Sequence, residues 1–566
     1  MSAIRDFVHS PRVAYFSMEI ALDSAIPTYS GGLGVLAGDT LRSAADLELP
    51  MVAVTLASRA GYFRQQIDSE GRQLESPEHW DPAAHATPVG AKVAIAIAGR
   101  TVWITGWLYV IQGHMNGRQP VILLDTWLPE NQSDDKELTH YLYGGDNTYR
   151  LKQEIILGIG GPRLLSALGF RIRQYHMNEG HSALLGIELL NRYARDPAEG
   201  LQGEYAYDIP YVRSLCCFTT HTPVEAGHDK YPYALVQELL DDFIPLAVLR
   251  KLAGADNLNM TLLALNLSEY INGVAQRHAE VSRRQFPGYR VRAVTNGVHP
   301  WTWTHPALRT VYDRYIPTWC HEPEQLVRMD CCVPDAALRQ AHMTAKQELL
   351  ALVKTRSGVA LDPERLTLGF ARRMTAYKRS DLLFTDLDRL RAIAHEHPIQ
   401  IIMAGKAHPR DEGGKRLIEQ LHRFSRELGS AVPLVFLPDY AMGLARTLIA
   451  GVDVWLNTPM KPLEASGTSG MKAAFNGVPN LSVLDGWWIE GCIEGVTGWA
   501  VGDASESSNG DDAVALYRKL QEVVLPLYYG DRDGWLRVMK GAISKNASIF
   551  NSHRMMRRYA TEAYIV

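Results

Sequence analysis

The sequence lacks a long hydrophobic run and an excess of charge of one sign. No apolar stretch approaches the roughly 18 residues of a membrane-spanning helix, and the N-terminal segment has no hydrophobic core of signal-peptide length. We therefore expect a cytoplasmic protein without a membrane partner. The 58 Lys and Arg residues against 62 Asp and Glu residues give a net charge of −4. Since no global positive field is present to hold a nucleic-acid backbone, no nucleic-acid partner is expected.

The sequence also lacks the spacings of common metal and disulfide sites. Six cysteines include two adjacent pairs but no CxxC, which favours buried, reduced thiols over a zinc ribbon or a disulfide framework. His176, His181 and His221 match neither HExxH nor another metal spacing, so we predict no metal site. A buried, hydrogen-bonded histidine is the simplest interpretation of each. Only His221, at the end of a predicted strand and before a proline, is a candidate functional residue.

Short apolar runs alternate with amphipathic stretches, the pattern of parallel strands joined by helices. In the first half, strands are predicted near residues 13, 52, 121, 172 and 217, with a hairpin around Thr101 to Ile111. In the second half the predicted strands are Leu366 to Ala371, Ile399 to Ala404, Leu434 to Leu437, Val452 to Leu456 and Asn480 to Leu484. The 566 residues allow four average domains or two large ones. The strand pattern favours an α/β protein with two doubly wound units.

Two segments bear on the domain organisation. The segment TNGVHPWTW joins a turn dipeptide, a proline and two tryptophans near Gly297, which predicts domains 1–297 and 298–566. The polar stretch ASESSNGDD from Ala504 is interpreted as a surface loop. Near the C-terminal end, Asn551 or Ser552 is predicted to cap a helix whose basic residues, from His553 to Arg558, form a solvated face.

The segment EASGTSGMKAAFNG, from Glu464 to Gly477, lies between two predicted strands. Gly467 and Gly470 permit close backbone approach, and Thr468 adds a hydroxyl before a helix N-terminus, which together suit a phosphate group. Lys472 follows one turn later, and a desolvated amine there could form a Schiff base with an aldehyde cofactor. An ordinary loop with a surface lysine is the alternative, because the Walker pattern GxxxxGK[ST] is missing.

Basic residues and a second glycine-rich loop also suggest an anion site. RRMTAYKR, from Arg372 to Arg379, directly follows a predicted strand, at the edge where open α/β sheets bind ligands. Arg372, Arg373 and Lys378 could therefore converge on phosphate oxygens, although a solvated basic patch is the alternative. SGGLG, from Ser30 to Gly34, follows the first predicted strand and precedes a helix; alone it is weak evidence for a phosphate-facing or sugar-facing turn.

Taken together, the motifs are more specific than any one of them. YSGGLG, NEGHSALL, TTHTP, TNGVHP, GFARRMTAYKR, AGKAHP, PDY and EASGTSGMK occur along the chain in this order. This set resembles the α-glucan phosphorylase family of glycogen, starch and maltodextrin phosphorylases, and the length resembles its compact prokaryotic branch. The resemblance covers residues 13 to at least 490. It implies a glycosyltransferase B fold, in which two Rossmann-like domains face each other across a cleft.

The resemblance also implies a cofactor and a reaction. Pyridoxal 5′-phosphate would be bound through Lys472, and its phosphate would exchange a proton with the substrate phosphate. The implied reaction is reversible phosphorolysis of an α-1,4-glucan from its non-reducing end. Inorganic phosphate is consumed and α-glucose 1-phosphate is formed with retention. No pair of catalytic carboxylates of the glycosidase kind is required. A homodimer is a further expectation from the family.

Site residues carried over from the family fall into three groups. The cofactor would be held by Lys472, Thr468, Gly467, Lys378, Tyr440 and Trp303. The substrate phosphate would be bound by Arg373, Arg372 and the backbone N–H groups of Gly32 and Leu33. Glucose hydroxyls would be bound by Glu464, Ser466, Asn296 and His221. The catalytic roles would rest on Lys472, Arg373, Lys378 and His221, with His221 helping to stabilise the transition state.

Three positions depart from the long enzymes of the family. Arg372 replaces a lysine, Ala441 replaces an arginine at the phosphate site, and Gly470 replaces an asparagine. Loss of the arginine bears on phosphate affinity rather than on the type of reaction. Two rival functions stay open: a nucleotide-sugar-dependent glucan synthase of the same fold, and a glucan-binding protein with impaired catalysis. A pyridoxal enzyme acting on amino acids is more remote, since no carboxylate-binding arginine fits that setting.

Overall fold

The computed structural model describes residues 2–224, 227–503 and 509–565. The strands of the described residues are β1 (Val13–Phe16), β2 (Met51–Leu56), β3 (Arg64–Ile67), β4 (Gln73–Ser76), β5 (Thr87–Ile97), β6 (Arg100–Gln112), β7 (Arg118–Asp125), β8 (Gln174–Asn178), β9 (Cys216–Thr219), β10 (Lys230–Pro232), β11 (Asn257–Asn259), β12 (Tyr270–Gly273), β13 (Arg292–Ala293), β14 (Leu366–Ala371), β15 (Ile399–Ala404), β16 (Leu434–Leu437), β17 (Val454–Asn457), β18 (Asn480–Val483) and β19 (Gly498–Val501).

Helices separate most of these strands, with short 3₁₀ and π turns among them. The α-helices of the described residues are α1 (Ser2–Arg5), α2 (Gly32–Asp46), α3 (Ser133–Lys136), α4 (Asn147–Ile155), α5 (Gly161–Leu168), α6 (Leu184–Arg192), α7 (Ile209–Ser214), α8 (Tyr233–Leu240), α9 (Leu246–Ala253), α10 (Met260–Asn266), α11 (Gln276–Gln285), α12 (Pro300–Trp303), α13 (Pro306–Tyr315), α14 (Met329–Cys332), α15 (Asp335–Ser357), α16 (Leu387–Glu396), α17 (Glu412–Leu428), α18 (Met442–Gly451), α19 (Ser469–Ala474), α20 (Trp488–Gly491), α21 (Asn509–Lys519), α22 (Leu525–Gly530), α23 (Arg532–Gly541) and α24 (Ser552–Tyr559).

Two large sheets organise the chain. The first has nine strands in the order β13-β12-β9-β8-β1-β2-β7-β6-β5, in which β13 to β7 run parallel and β6 and β5 complete an antiparallel edge. The second has six parallel strands in the order β16-β15-β14-β17-β18-β19. The prediction of an α/β protein with parallel sheets is confirmed. Every residue of β2, β14 and β15 is buried, as expected for strands covered by helices on both faces.

The last helix leaves the second sheet and packs on the first. Met555, Met556 and Tyr559 of α24 share an apolar core with residues of β1, β2 and α2. The Tyr559 hydroxyl accepts a hydrogen bond from the Asn272 amide at 2.9 Å, and the Tyr564 hydroxyl lies 2.6 Å from Nδ1 of His176. The two halves of the chain are therefore tied together by the residues that follow Asn551.

The predicted solvated basic face of α24 is wrong for two residues. Asn551 caps the helix as predicted, accepting the Arg554 N–H at 2.7 Å. However, His553 is fully buried, and the Arg554 guanidinium donates to the carbonyl oxygens of Thr295 and Asn296 at 2.8 and 2.9 Å. Because the helix docks on another part of the chain, its basic side chains have internal partners.

Two smaller predictions also need correction. Cys216, Cys217 and Cys320 are buried thiols as predicted, but Cys331 is exposed. Residues 504–508 of the predicted polar loop lie outside the described residues, and the remainder, from Asn509, begins α21 rather than a loop. Among the described residues, no helix is long and apolar enough to cross a membrane, and no three metal-ligating side chains cluster.

Candidate active site

The glycine-rich segment SGGLG turns tightly into α2 and is held by a buried acid. Oε2 of Glu19 accepts the N–H groups of Ser30 and Gly31 at 2.5 and 3.1 Å, and the Ser30 hydroxyl at 3.1 Å. Its Oε1 accepts the Tyr143 hydroxyl at 3.0 Å. A Cβ on Gly34 would lie 2.7 Å from the same carboxylate, so glycine is required there by this close approach.

The start of α2 faces the basic segment of the second half. Gly32 and Leu33 belong to its first turn, whose N–H groups have no acceptor within the helix and carry partial positive charge. A Cβ on Gly31 would lie 3.3 Å from Nη2 of Arg373. The predicted glycine loop and the predicted basic cluster, separated by more than half of the sequence, therefore meet.

A single carboxylate joins two further cations of the basic segment, Arg372 and Lys378. Oε2 of Glu464 accepts from Nη2 of Arg372 at 2.7 Å and from Nζ of Lys378 at 2.6 Å. Burial would raise the pKa of Glu464, but the two cations outweigh it and lower that pKa to about 2. Asp485 in turn accepts the Glu464 N–H at 2.8 Å. Glu464 is therefore ionised and fixed at both its backbone and its side chain.

Several buried polar atoms at this site lack a protein partner among the described residues. They include Nε and Nη1 of Arg372, the Ser466 hydroxyl and Oδ1 of Asn296. Unsatisfied polar groups in a protein interior are costly, and their presence in a native structure calls for an explanation. Three residues with such atoms were predicted to bind phosphate or sugar, and a polar ligand would satisfy them.

Lys472 lies on an aromatic ring in an apolar setting. Its Nζ is 4.2 Å from the centroid of the Trp303 ring, and the Trp303 indole N–H donates to Oδ2 of Asp39 at 2.7 Å. The Asn476 amide fixes the backbone here, donating to the carbonyls of Trp303 and Lys472 at 2.8 and 3.0 Å. Burial lowers the pKa of Lys472 to about 8, and the charge of Asp39 partly opposes that decrease. The interpretation of Lys472 as a surface lysine is therefore wrong.

The loop before Lys472 has the conformation that its glycines suggested. Gly467 has φ +83°, a region that favours glycine, and the Thr468 carbonyl accepts the Lys472 N–H at 3.2 Å. A Cβ on Gly470 would lie 2.3 Å from Oδ1 of Asn480 and 2.8 Å from the Trp487 ring. Glycine at 470 is thus required by its neighbours in this chain. The replacement of the family's asparagine by glycine is therefore a larger structural change than the sequence alone indicates.

Tyr440 is partly buried and lies close enough to Arg372 to feel its charge. Burial raises the pKa of the Tyr440 phenol, Tyr29 raises it further, and the neighbouring charge of Arg372 opposes this. Tyr29 comes from the first half of the chain, and its hydroxyl accepts the Met442 N–H at 2.9 Å. Ala441 lies between Tyr440 and Met442, at the N-cap position before α18, and supplies no side-chain hydrogen bond to the helix.

His221 and Asn296 line the same small pocket. Nε2 of His221 donates to Oδ1 of Asn178 at 2.6 Å, and the His221 N–H donates to Oε2 of Glu179 at 2.8 Å. Burial and nearby imidazoles lower the pKa of His221 to about 3. The histidine is therefore neutral near pH 7. The Arg554 guanidinium holds the backbone carbonyl of Asn296.

Comparisons with known proteins show which family the chain resembles along its length. The family model for carbohydrate phosphorylases matches residues 246–496. The chain is 39% identical to a maltodextrin phosphorylase of Thermococcus litoralis, over 98% of the chain and 70% of that protein. It is 37% identical to a glycogen phosphorylase of Mycobacterium tuberculosis, with the same coverage. It is 35% identical to a glycogen phosphorylase of Aquifex aeolicus, over 98% of the chain and 86% of that protein.

The chain belongs to the carbohydrate phosphorylase family. It is accordingly an enzyme of the glycosyltransferase type, and its parallel α/β sheets fit this family. The structure brings the predicted residues together in three groups: Arg372, Lys378 and Glu464; Lys472 and Trp303; and His221 and Asn296.

Sequence reasoning missed four polar residues that position the candidate site of this phosphorylase. Glu19 holds the glycine loop, Glu179 and Asn178 hold His221, and Asp485 holds the Glu464 backbone. A signal was present, because the three acids Glu19, Glu179 and Asp485 closely follow strands β1, β8 and β18. Acids at the carboxyl ends of parallel strands point to a ligand-binding edge.

Proposed function

We propose that this carbohydrate phosphorylase is an α-glucan phosphorylase. It would cleave the terminal α-1,4 bond at the non-reducing end of a glucan with inorganic phosphate and release α-D-glucose 1-phosphate with retention. The relatives named maltodextrin and glycogen phosphorylases support this substrate class. The structural observation that carries the proposal is the approach of the glycine loop to Arg373, which gathers anion-binding groups from both halves of the chain.

The proposal includes a two-domain glycosyltransferase B architecture. Rossmann-like domains of residues 1–297 and 298–566 would face each other across a cleft, with the carboxyl ends of both sheets toward the ligands. Contacts between the halves support this. Among them are the Trp303–Asp39 and Met442–Tyr29 hydrogen bonds.

Pyridoxal 5′-phosphate fits the residues around Lys472 as the cofactor. The amine is buried, has a lowered pKa of about 8 and lies on an indole ring, so it suits covalent attachment of an aldehyde and a flat aromatic group beside it. Lys472 would hold the cofactor together with Trp303, Tyr440, Gly467 and Thr468, and Lys378 would contact its phosphate. When bound, the cofactor supplies a phosphate group that can donate and accept a proton.

The substrate phosphate would be bound by Arg372, Arg373 and the N–H groups of Gly32 and Leu33. Nε and Nη1 of Arg372 are buried donors without a protein partner among the described residues, and their planar arrangement matches phosphate oxygens. Such preorganised donors stabilise negative charge without reorganising during the reaction. Glu464 would hold Arg372 in this orientation through its 2.7 Å contact.

The terminal glucose would be bound by Glu464, Ser466, Asn296 and His221. Ser466 and Asn296 each have a buried oxygen that finds no protein partner within the described part of the chain, which suits sugar hydroxyls that can donate and accept. His221 is neutral near pH 7, so its ring adds no positive charge beside the developing cation at the anomeric carbon. Its backbone N–H is taken up by Glu179, which fixes the segment that carries the ring.

The test is incubation of the purified enzyme with maltodextrin and inorganic phosphate, followed by measurement of glucose 1-phosphate. Release that depends on both substrates is expected. A protein that retains bound cofactor and binds glucan yet releases none would be a glucan-binding protein instead. Incorporation of glucose from a nucleotide sugar in the absence of phosphate would favour the synthase.

Borohydride reduction followed by peptide mapping tests the cofactor site. The reduced pyridoxyl group is expected on Lys472. Modification of another lysine alone would contradict the assignment, whatever the activity of the preparation.

A further inference from the structure

We propose that Glu19 is a positioning residue that sets the glycine-rich loop for phosphate. The inference rests on the proposed function, because phosphate is the ligand of that loop. Glu19 would act on phosphate only through Ser30, Gly31 and the start of α2, without touching it.

The four contacts of Glu19 argue for a fixed orientation of its carboxylate. Oε2 receives the two N–H groups of Ser30 and Gly31 and the Ser30 hydroxyl, while Oε1 receives the Tyr143 hydroxyl. The side chain is 1% exposed, so water cannot replace these donors at low cost. The ring of Tyr143 is held by the Arg150 guanidinium, 4.4 Å from its centroid.

The contacts determine which backbone donors remain for a ligand. By accepting the N–H groups of Ser30 and Gly31, Glu19 fixes the two peptides before α2. The next N–H groups, of Gly32 and Leu33, lie in the first turn and are free of intrahelical acceptors. Gly34 allows the acid to approach, since a Cβ there would lie 2.7 Å from its Oε2. The first turn of α2 is therefore held beside Arg373.

Because the carboxylate of Glu19 lies beside an anion site, the direction in which phosphate affinity changes on its removal tests the inference. If Glu19 acted only through its charge, it would repel phosphate, and removing the charge would tighten phosphate binding. If Glu19 positions the loop, removing the charge would weaken binding, because one amide oxygen cannot reproduce the acceptor set of a carboxylate. The two accounts therefore predict opposite effects for the same substitution.

The experiment compares wild-type holoenzyme with Glu19→Gln, and uses Glu70→Gln as the matched control on an exposed glutamate. Loss of charge-assisted hydrogen bonds is expected to raise the KM for inorganic phosphate by about 10-fold or more. The KM for maltodextrin should change less than about 2-fold. Titration with inorganic phosphate in a calorimeter should show the same weakening without turnover. Glu70→Gln should match the wild type in both.

The outcomes separate this inference from the proposed function. Unchanged or tighter phosphate binding by a folded Glu19→Gln variant would overturn the positioning role, as would equal increases in both KM values. A wild-type enzyme that forms no glucose 1-phosphate would overturn the proposed function, while the titration would still decide the role of Glu19. If Glu19→Gln does not fold, Tyr143→Phe removes only the hydroxyl on Oε1. That variant should weaken phosphate binding by about 3-fold, and no weakening would overturn the inference.

Discussion

Lys472 is expected to be a far stronger nucleophile at neutral pH than an ordinary lysine. Burial lowers its pKa from 10.5 to about 8, so at pH 7 about 9% of the amine is neutral, against roughly 0.03% at the ordinary value. The ratio of about 300 sets the expected gain in reactivity per amine. The cost of burying the ammonium is present below pH 8 and fades as the pH rises to 10.5, because the unfolded chain keeps its proton over that range.

The assay is competitive acetylation over pH 6 to 11, after treatment with a carbonyl-trapping amine to remove the proposed pyridoxal phosphate. Peptide mapping follows Lys472, with the exposed Lys354 as an internal reference. The labelling midpoint of Lys472 is expected near pH 8. In Asp39→Asn the midpoint should fall further, since the acid that favours the ammonium is lost.

Two results would refute this reasoning. A midpoint at or above pH 10 in the wild type would show that the amine is solvated rather than buried on the indole. A midpoint that rises in Asp39→Asn would show that the acid does not act through its charge. Trp303→Phe is a useful companion, because it keeps an apolar ring and removes the indole N–H that binds Asp39.

Three further outcomes are expected. Glu464→Gln leaves two cations without a shared carboxylate, which should lower the free energy of unfolding by about 3–5 kcal/mol in urea; a loss as small as that of Glu70→Gln would contradict the buried cluster. The pKa of His221 is lowered to about 3, so its ring NMR resonances should not move between pH 8 and 5. Its burial should lower the free energy of unfolding only as the pH falls from 6.5 toward 3, because the unfolded chain takes up a proton there and the folded chain does not. An NMR titration midpoint near pH 6.5 would contradict this. Arg554→Ala should raise the KM for glucan about 10-fold and leave the KM for phosphate unchanged, because Arg554 holds the backbone of Asn296. The control Arg537→Ala, at an exposed arginine, should change neither KM value. Equal increases in both KM values for Arg554→Ala would contradict this role.

The strands of the second sheet could be predicted closely from sequence. Leu366–Ala371, Ile399–Ala404 and Leu434–Leu437 agree with the structure at both ends. Their success has a physical cause, because strands buried on both faces of a parallel sheet read as continuous apolar runs. Strands β12 and β19 were missed, since YING and GWAV are short and interrupted by polar residues or glycine.

In the candidate site, the cations and glycines could be picked out from the sequence, whereas Glu19, Glu179 and Asp485 were not. Arg373 and the loop around Gly31 stood out through local composition. That they meet follows from the fold, and the role of Glu19 follows from hydrogen bonds whose partners lie up to 124 residues away. The basic residues of α24 show the opposite error. Arg554 resembled a solvated residue because its carbonyl partners lie 258 and 259 positions earlier.

The docking of α24 on the first sheet has a consequence for synthesis. Met555, Met556 and Tyr559 fill the same core as β1 and β2, yet they leave the ribosome only after the whole second sheet has been made. Until α24 has been synthesised, part of the apolar surface of the nascent N-terminal half therefore stays uncovered. Such intermediates are prone to aggregate, so the slowest and most chaperone-dependent step of maturation should be the return of this last helix to the first strands.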